Sequence, residues 1–189
     1  ARLFVIGILG YLCYQYLMYA LAWALGPLFL PFVVLYSLSL IAIVALVTTI
    51  SLPELAARIS ARESALFPRR GMAWLCFGLA AALLGMWLTR ILAALGGQLE
   101  GILEGQTTLV VQALDLGLIV PLAVFTGVAA WRGRPVGYLL CSALVVKAVA
   151  MAAAICAMLL SAWAYEGVLE APPLILFGAV AAVSAWLGV

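Results

Sequence analysis

Three charged side chains stand inside otherwise apolar runs of this sequence: Arg90, Asp115 and Lys147. A carboxylate or ammonium buried in apolar surroundings is costly, so each needs a partner or a route to water. Arg90 lies five residues from the end of its run, close enough for its long stem to carry the guanidinium outward. Asp115 and Lys147 have no such exit and are the residues whose types and positions could do chemistry.

Asp115 follows Thr108 and Gln112 at helical spacing, which gathers three polar groups on one helix face. Lys147 falls near the middle of the next apolar run. The intervening "RGRP" turn, Arg132 to Pro135, is short enough to make the two runs antiparallel neighbours, so Asp115 is the expected counter-charge for Lys147. Counted from the far ends of their helices, Asp115 is about 8 Å deep and Lys147 about 17–22 Å deep at 1.5 Å per residue. The lysine stem must therefore climb several ångströms, with a polar residue or water bridging the rest. One reading is an ion, proton or anionic-headgroup site. The other is a structural pair or an uncharged buried lysine. A retinal linkage at Lys147 is not expected, because no seventh span carries the lysine and no aromatic pocket pattern surrounds "ALVVKAVAM".

The first apolar run, "GYLCYQYLMYALAW", adds polar groups that could face the same interior. Tyr11, Gln15 and Tyr19 align at helical spacing with Tyr14 beside them, and buried tyrosines require hydroxyl partners. Tyr36, Ser37 and Ser39 of the second run could join them. The candidate ligand or ion site is thus Asp115, Lys147, Gln112, Tyr14, Gln15 and Tyr19. An equally open reading has the tyrosines packing a helix interface. Cys13, Cys76, Cys141 and Cys156 all lie in apolar runs without a C-x-x-C pair and are expected to be small core residues. No histidine is present, which excludes imidazole ligation of haem or chlorophyll, zincin chemistry and a Ser-His-Asp set. No metal site and no cofactor are expected, although a bound lipid is compatible with the pattern.

The elements that must position these residues are dictated by composition. Of 189 residues, 69% are hydrophobic and only 8% charged, and mean hydropathy is +1.31. Soluble domains carry about 25% charged residues. The composition indicates a polytopic membrane protein, all-α because lipid offers the backbone no hydrogen-bond partners. Six apolar runs of spanning length can be marked: Leu3–Leu25, Leu28–Ile50, Gly71–Leu95, Val110–Trp131, Val136–Ala162 and Leu174–Val189. Together they make one bundle domain over residues 1–189. A signal peptide does not fit the first run, which is long and Tyr-rich and lacks a basic start and a small-residue cleavage site. The start at Ala1 and the apolar end at Val189 are expected of a trimmed chain.

Charges in the joints alternate. Arg58, Arg62, Arg69 and Arg70 occupy the second joint and Arg132 and Arg134 the fourth, while the third and fifth carry Glu100, Glu104, Glu166 and Glu170 with neither Lys nor Arg. By the positive-inside rule, residues 51–70 and 132–135 are expected to face the cytoplasm. Tryptophans support the same frame: Trp74, Trp131 and Trp186 fall at the inner ends and Trp23 and Trp163 at the outer ends, whereas Trp87 lies two turns too deep. In the second joint, "SLPE" sets Ser51 three residues before Glu54 with Pro53 in the first turn, the start signal of a helix. Leu52, Leu55, Ile59 and Leu66 then recur at helical spacing, predicting a short amphipathic helix at about 52–66. It would lie on the inner membrane surface or serve as a solvated connector. Small residues, Gly78, Ala82 and Gly85, then Ala143, Ala150 and Ala154, then Gly178, Ala182 and Ala185, are expected at helix contacts. Pro121 frees the Gly117 carbonyl four residues upstream and predicts a kink. No inverted repeat relates the two halves, which weakens the commonest transporter architecture.

The combination of "YQYLMYALAWALGPLFLPFVVLYSLSLIAIV", "LFPRR" and "ALDLGLIVPLAVFTGVAAWRGRPVGYLL" resembles a group of uncharacterised prokaryotic integral membrane proteins, over about Gly10 to Met158. The Asp115-Leu116-Gly117 to Pro121 element with Trp131-Arg132 is its most specific part. The resemblance implies a further helix ahead of the Tyr-rich span, giving seven, and departs from the group at Gln15, where an asparagine is usual. It implies no activity.

These readings converge on a prokaryotic cytoplasmic-membrane bundle acting as a non-enzymatic accessory subunit or a lipid- or small-ligand-binding protein. Its expected partners are membrane lipids and other membrane subunits, not nucleic acid, since no basic surface is available. A small-molecule or proton-coupled transporter using the Asp115–Lys147 pair is the alternative. A lipid-modifying enzyme ranks last, because no nucleophile with a base and no metal cluster is recognisable.

Overall fold

The computed structural model describes residues 2–62, 69–97 and 108–167, together with 171, 174–175, 177–179 and 181–182. The described residues are helical and contain no strand. The elements are α1 (Arg2–Ala22), α2 (Phe29–Thr48), α3 (Leu52–Arg62), α4 (Arg69–Leu95), α5 (Val110–Leu114), a π turn (Asp115–Ile119), α6 (Val120–Trp131) and α7 (Pro135–Glu166). Five helical stretches among them are long and apolar enough to cross a membrane, the α5–π–α6 rod counting as one. Their ends fall within a few residues of the first five apolar runs marked in the sequence. The sixth run, Leu174–Val189, lies largely outside the described residues.

The helices form a chain of neighbours in the order α2, α1, α7, α6, α4. The Gly26-Pro27 joint folds α1 and α2 into a hairpin whose free ends meet, Arg2 donating from its guanidinium to the Thr49 carbonyl at 3.2 Å. The second hairpin, α6–α7, is tighter still. Gly137 lies against the backbone of Ala129 and Ala130, a contact that leaves no room for a Cβ. One buried cluster then fills the angle between α4, α6 and α7, built from Met72, Cys76 and Ala80, Val120 and Ala123, and Tyr138, Cys141, Leu144 and Val145. The two hairpins are joined where α1 crosses α7: a Cβ at Gly7 would collide with the Val146 side chain and lie 3.1 Å from the Ala143 carbonyl. This crossing brings Tyr14, one face of α1, toward α7 and α5.

Two expectations meet a different outcome. Gly78, Ala82 and Gly85 were expected at a helix contact, yet all three are exposed on α4 and nothing described lies within 4 Å of a Cβ built on Gly78 or Gly85. The face of α4 opposite to them carries Met72, Cys76 and Ala80 and takes the contact instead. Thr108, assigned to the Asp115 face, precedes the helix and is exposed. The amphipathic helix was marked to about residue 66 and is described to Arg62; residues 63–68 lie outside the described set. Its start follows the sequence signal, the Glu54 amide donating to Ser51 Oγ at 3.4 Å.

Because Gly7 and Gly137 sit where a neighbouring helix leaves no room for a Cβ, Gly137→Ala and Gly7→Ala should each destabilise the protein by about 1–3 kcal/mol, as overpacking does. Gly78→Ala, on an open helix face, should be neutral or slightly stabilising through helix propensity. Thermal unfolding of the detergent-solubilised variants measures the three values, and equal effects at Gly78 and Gly137 would contradict the packing described.

Candidate functional site

Asp115 opens the π turn, and its position there follows from the sequence downstream. In a regular α-helix the Pro121 ring would press on the carbonyl four residues before it and offer no N–H in return. The preceding turn widens, the Val120 N–H bonding the Asp115 carbonyl, five residues back. Insertions of this kind often re-aim side chains at functional positions. The result turns Asp115 and Gln112 inward, each only 8% exposed, while Gly117 and Leu118 face outward.

The carboxylate meets donors from two other helices. Tyr14 of α1 donates its hydroxyl to Oδ1 at 2.5 Å. Trp87 of α4 donates its indole N–H to Oδ2 at 2.7 Å. Both are hydrogen bonds to a charged acceptor, the stronger class, at about 1.5–3 kcal/mol each. Each ring also carries a cation on its face. Lys147 Nζ stands 4.0 Å from the Tyr14 ring centroid, and the Arg90 guanidinium carbon stands 5.9 Å from the Trp87 ring centroid. A cation over an aromatic face is attracted by the ring quadrupole, more so where water is scarce. It also draws electron density from the ring and makes the phenol a better donor to the carboxylate.

Lys147 and Asp115 therefore communicate through Tyr14. Among the described residues no direct ion pair joins them, and the polar bridge that the depth difference called for is the phenol. The geometry brings together Asp115, Tyr14 and Lys147, with Gln112 one turn from the carboxylate on the same helix. The Gln112 side chain makes no hydrogen bond among the described residues. Gln15 is half-buried, and among the described residues no hydrogen bond joins it to the carboxylate. Tyr19 is elsewhere altogether: it stacks on Trp23 at 4.7 Å between ring centroids and tilts against Phe32 at 5.4 Å. Of the stripe Tyr11, Gln15 and Tyr19, Tyr19 packs on Phe32 of α2, and Tyr14, read as lying beside the stripe, is the residue that meets the carboxylate. Of the second-run residues, Ser39 is buried but spends its hydroxyl on its own Leu35 carbonyl at 2.7 Å.

Trp87 and Arg90 were not among the sequence candidates for this site. A signal for Trp87 was present, since it lies deeper than an interfacial tryptophan should, and an indole away from water needs an acceptor. Among the described residues no group of three or more His, Cys, Asp or Glu could hold a metal ion. What the arrangement can do is hold one negative charge between two aromatic donors, or pass a proton between Asp115 and the Tyr14 hydroxyl.

Comparison with protein families, with curated proteins and with solved structures finds no match to this chain.

If the carboxylate and the phenol form one unit, Tyr14→Phe should cost about 1.5–3 kcal/mol in the native protein and distinctly less in an Asp115→Asn background. Unfolding of the two single variants and the double variant in detergent gives the coupling. Additive losses would show that the two side chains act separately.

Proposed function

We propose that this chain is an integral membrane protein of the prokaryotic cytoplasmic membrane that works by binding, as an accessory subunit or as a lipid- or small-ligand-binding protein. Its basic ends, with Arg70, Arg132 and Arg134, face the cytoplasm in this reading. The observation that carries it is the closure of the polar interior on itself: both Asp115 oxygens already accept hydrogen bonds from side chains of the same chain, and Lys147 rests on one of those donors. A charge tied to three helices fixes their register, which is what a clamp does, and leaves the outward faces to make the external contacts.

Those faces are apolar. α2 packs on α1 and turns Leu30, Val34, Leu38, Ile41 and Val44 outward, and α4 presents the open Gly78–Ala82–Gly85 edge. Lipid tails or a companion helix suit such surfaces, and small residues permit close approach of a partner backbone. At one level of the bundle Arg70 lies over Trp131, 5.9 Å to the centroid, and Trp131 meets Trp74 edge to face at 5.9 Å. Amphipathic rings and arginines grouped in this way suit a headgroup layer. Tyr16, Tyr19, Trp23 and Phe32 form a matching aromatic group at the far end of α1.

A second reading, a proton-coupled carrier, is favoured by one specific feature. The π turn and Pro121 give the helix bearing Asp115 a place where its hydrogen-bond register is already broken, so protonation of the carboxylate could shift the helix at low cost. In that case Asp115 and the Tyr14–Lys147 pair form the switch.

The test is mass spectrometry of the protein released from native-lipid nanodiscs. A binding protein or subunit should retain a defined lipid or a companion chain in stoichiometric amount, and the Asp115→Asn variant, if folded, should keep it. Bare monomers, together with pH-dependent flux in proteoliposomes that disappears in Asp115→Asn and Lys147→Ala, would replace the first reading with the second.

A further inference from the structure

The buried cluster between α4, α6 and α7 contains a pair of thiols that the polar site does not use. Cys76 Sγ and Cys141 Sγ are 3.8 Å apart, the former donating its S–H to the latter. The two residues are 2% and 0% exposed. Cys76 stands seven residues into α4 and Cys141 six residues into α7, about 10 Å and about 9 Å along helices that start at the same end of the bundle, at 1.5 Å per residue. Matching depth and sulfur contact are two separate indications that the pair is held in register. The other two cysteines, Cys13 and Cys156, are half-buried and have no thiol contact.

We propose that Cys76 and Cys141 are a modification site: a reversible disulfide that straps α4 to α7 when the bundle meets an alkyl hydroperoxide. A disulfide needs its sulfurs at about 2.05 Å, so the pair must close by less than the swing of one cysteine between staggered rotamers. Small apolar peroxides are the oxidants suited to this place, because they dissolve where charged oxidants do not. The chemistry balances in two steps. One thiol attacks the peroxide, the O–O bond breaks, the alcohol leaves with one proton and the sulfur becomes a sulfenic acid. The second thiol then attacks that sulfur; the S–S bond forms, the S–O bond breaks and water leaves. Two thiols are oxidised by two electrons and one hydroperoxide is reduced to alcohol and water.

The strap would matter because of what it spans. α4 and α7 each pack extensively on α6 and only lightly on one another. A covalent link between them closes a ring around α6 on the side of the bundle away from the Asp115 carboxylate. It restrains the helix that carries Pro121 without touching the carboxylate.

The test uses membranes holding the wild-type protein, reduced, washed and treated with tert-butyl hydroperoxide, then denatured in the presence of a maleimide. Two of the four thiols should escape alkylation, the escaped pair should map to a Cys76–Cys141 linked peptide, and dithiothreitol should restore both. The thermal unfolding temperature should rise on oxidation in the wild type and stay fixed in Cys76→Ala. Alkylation of all four thiols, or a linked peptide containing Cys13 or Cys156, overturns the proposal. The peptide map is read on the wild type, so a variant that fails to fold does not affect the result.

Discussion

A carboxylate kept away from water has to be met by hydrogen-bond donors, and in this protein that requirement decides where three helices stand. Asp115 takes one hydrogen from Tyr14 on α1 and one from Trp87 on α4. Moving either helix by one residue along its axis, about 1.5 Å, would break a bond worth about 1.5–3 kcal/mol and leave a charge partly uncompensated. Apolar packing has no comparable directionality, so the core cluster holds the helices together while the carboxylate sets their relative heights. Thr126 shows the contrast. Its hydroxyl is fully buried and has no partner among the described residues, a neutral group the fold can carry at a modest cost that a charge would multiply.

The helices themselves were legible in the sequence because a run of about twenty apolar residues has few other uses, and the joints announce themselves through Gly-Pro, Arg-Gly-Arg-Pro and the Ser51 cap. Depth was legible too: rise per residue alone separated Asp115 from Lys147 by more than a direct contact allows and called for an intermediary. The identity of that intermediary was less accessible. Tyr14 belongs to a helix with several tyrosines, and which of them turns inward depends on the rotation of α1, fixed by Gly7 against Val146. That contact is between residues far apart in the chain, and helical spacing cannot reveal it. The same reason explains the small residues of α4. The sequence marks Gly78, Ala82 and Gly85 as a face suited to close contact, but only the fold shows that Cys76 and Ala80, on another face, meet α6 and α7.

The π turn links local chemistry to the site more directly than packing does. Pro121 alone predicts an interruption, and the structure resolves it by widening the turn ahead of the proline so that Val120 bonds back to Asp115. The charged residue and the irregular backbone thus fall on the same turn. Whether this turn is a fixed wedge or a hinge depends on how firmly the two aromatic donors hold the carboxylate, so the strut and the switch are two regimes of one arrangement rather than two different sites.

The order in which the chain is made gives the carboxylate clamp a further meaning. Tyr14 precedes Asp115 by 101 residues and Trp87 precedes it by 28, while Lys147 follows it. As the ribosome releases the polypeptide, both donors emerge before the acid that needs them, and Lys147 emerges after both the acid and the phenol. Each of these two charges is therefore synthesised after a group that can receive it, and a circularly permuted gene beginning at the α6–α7 turn would reverse that sequence of arrivals for the lysine.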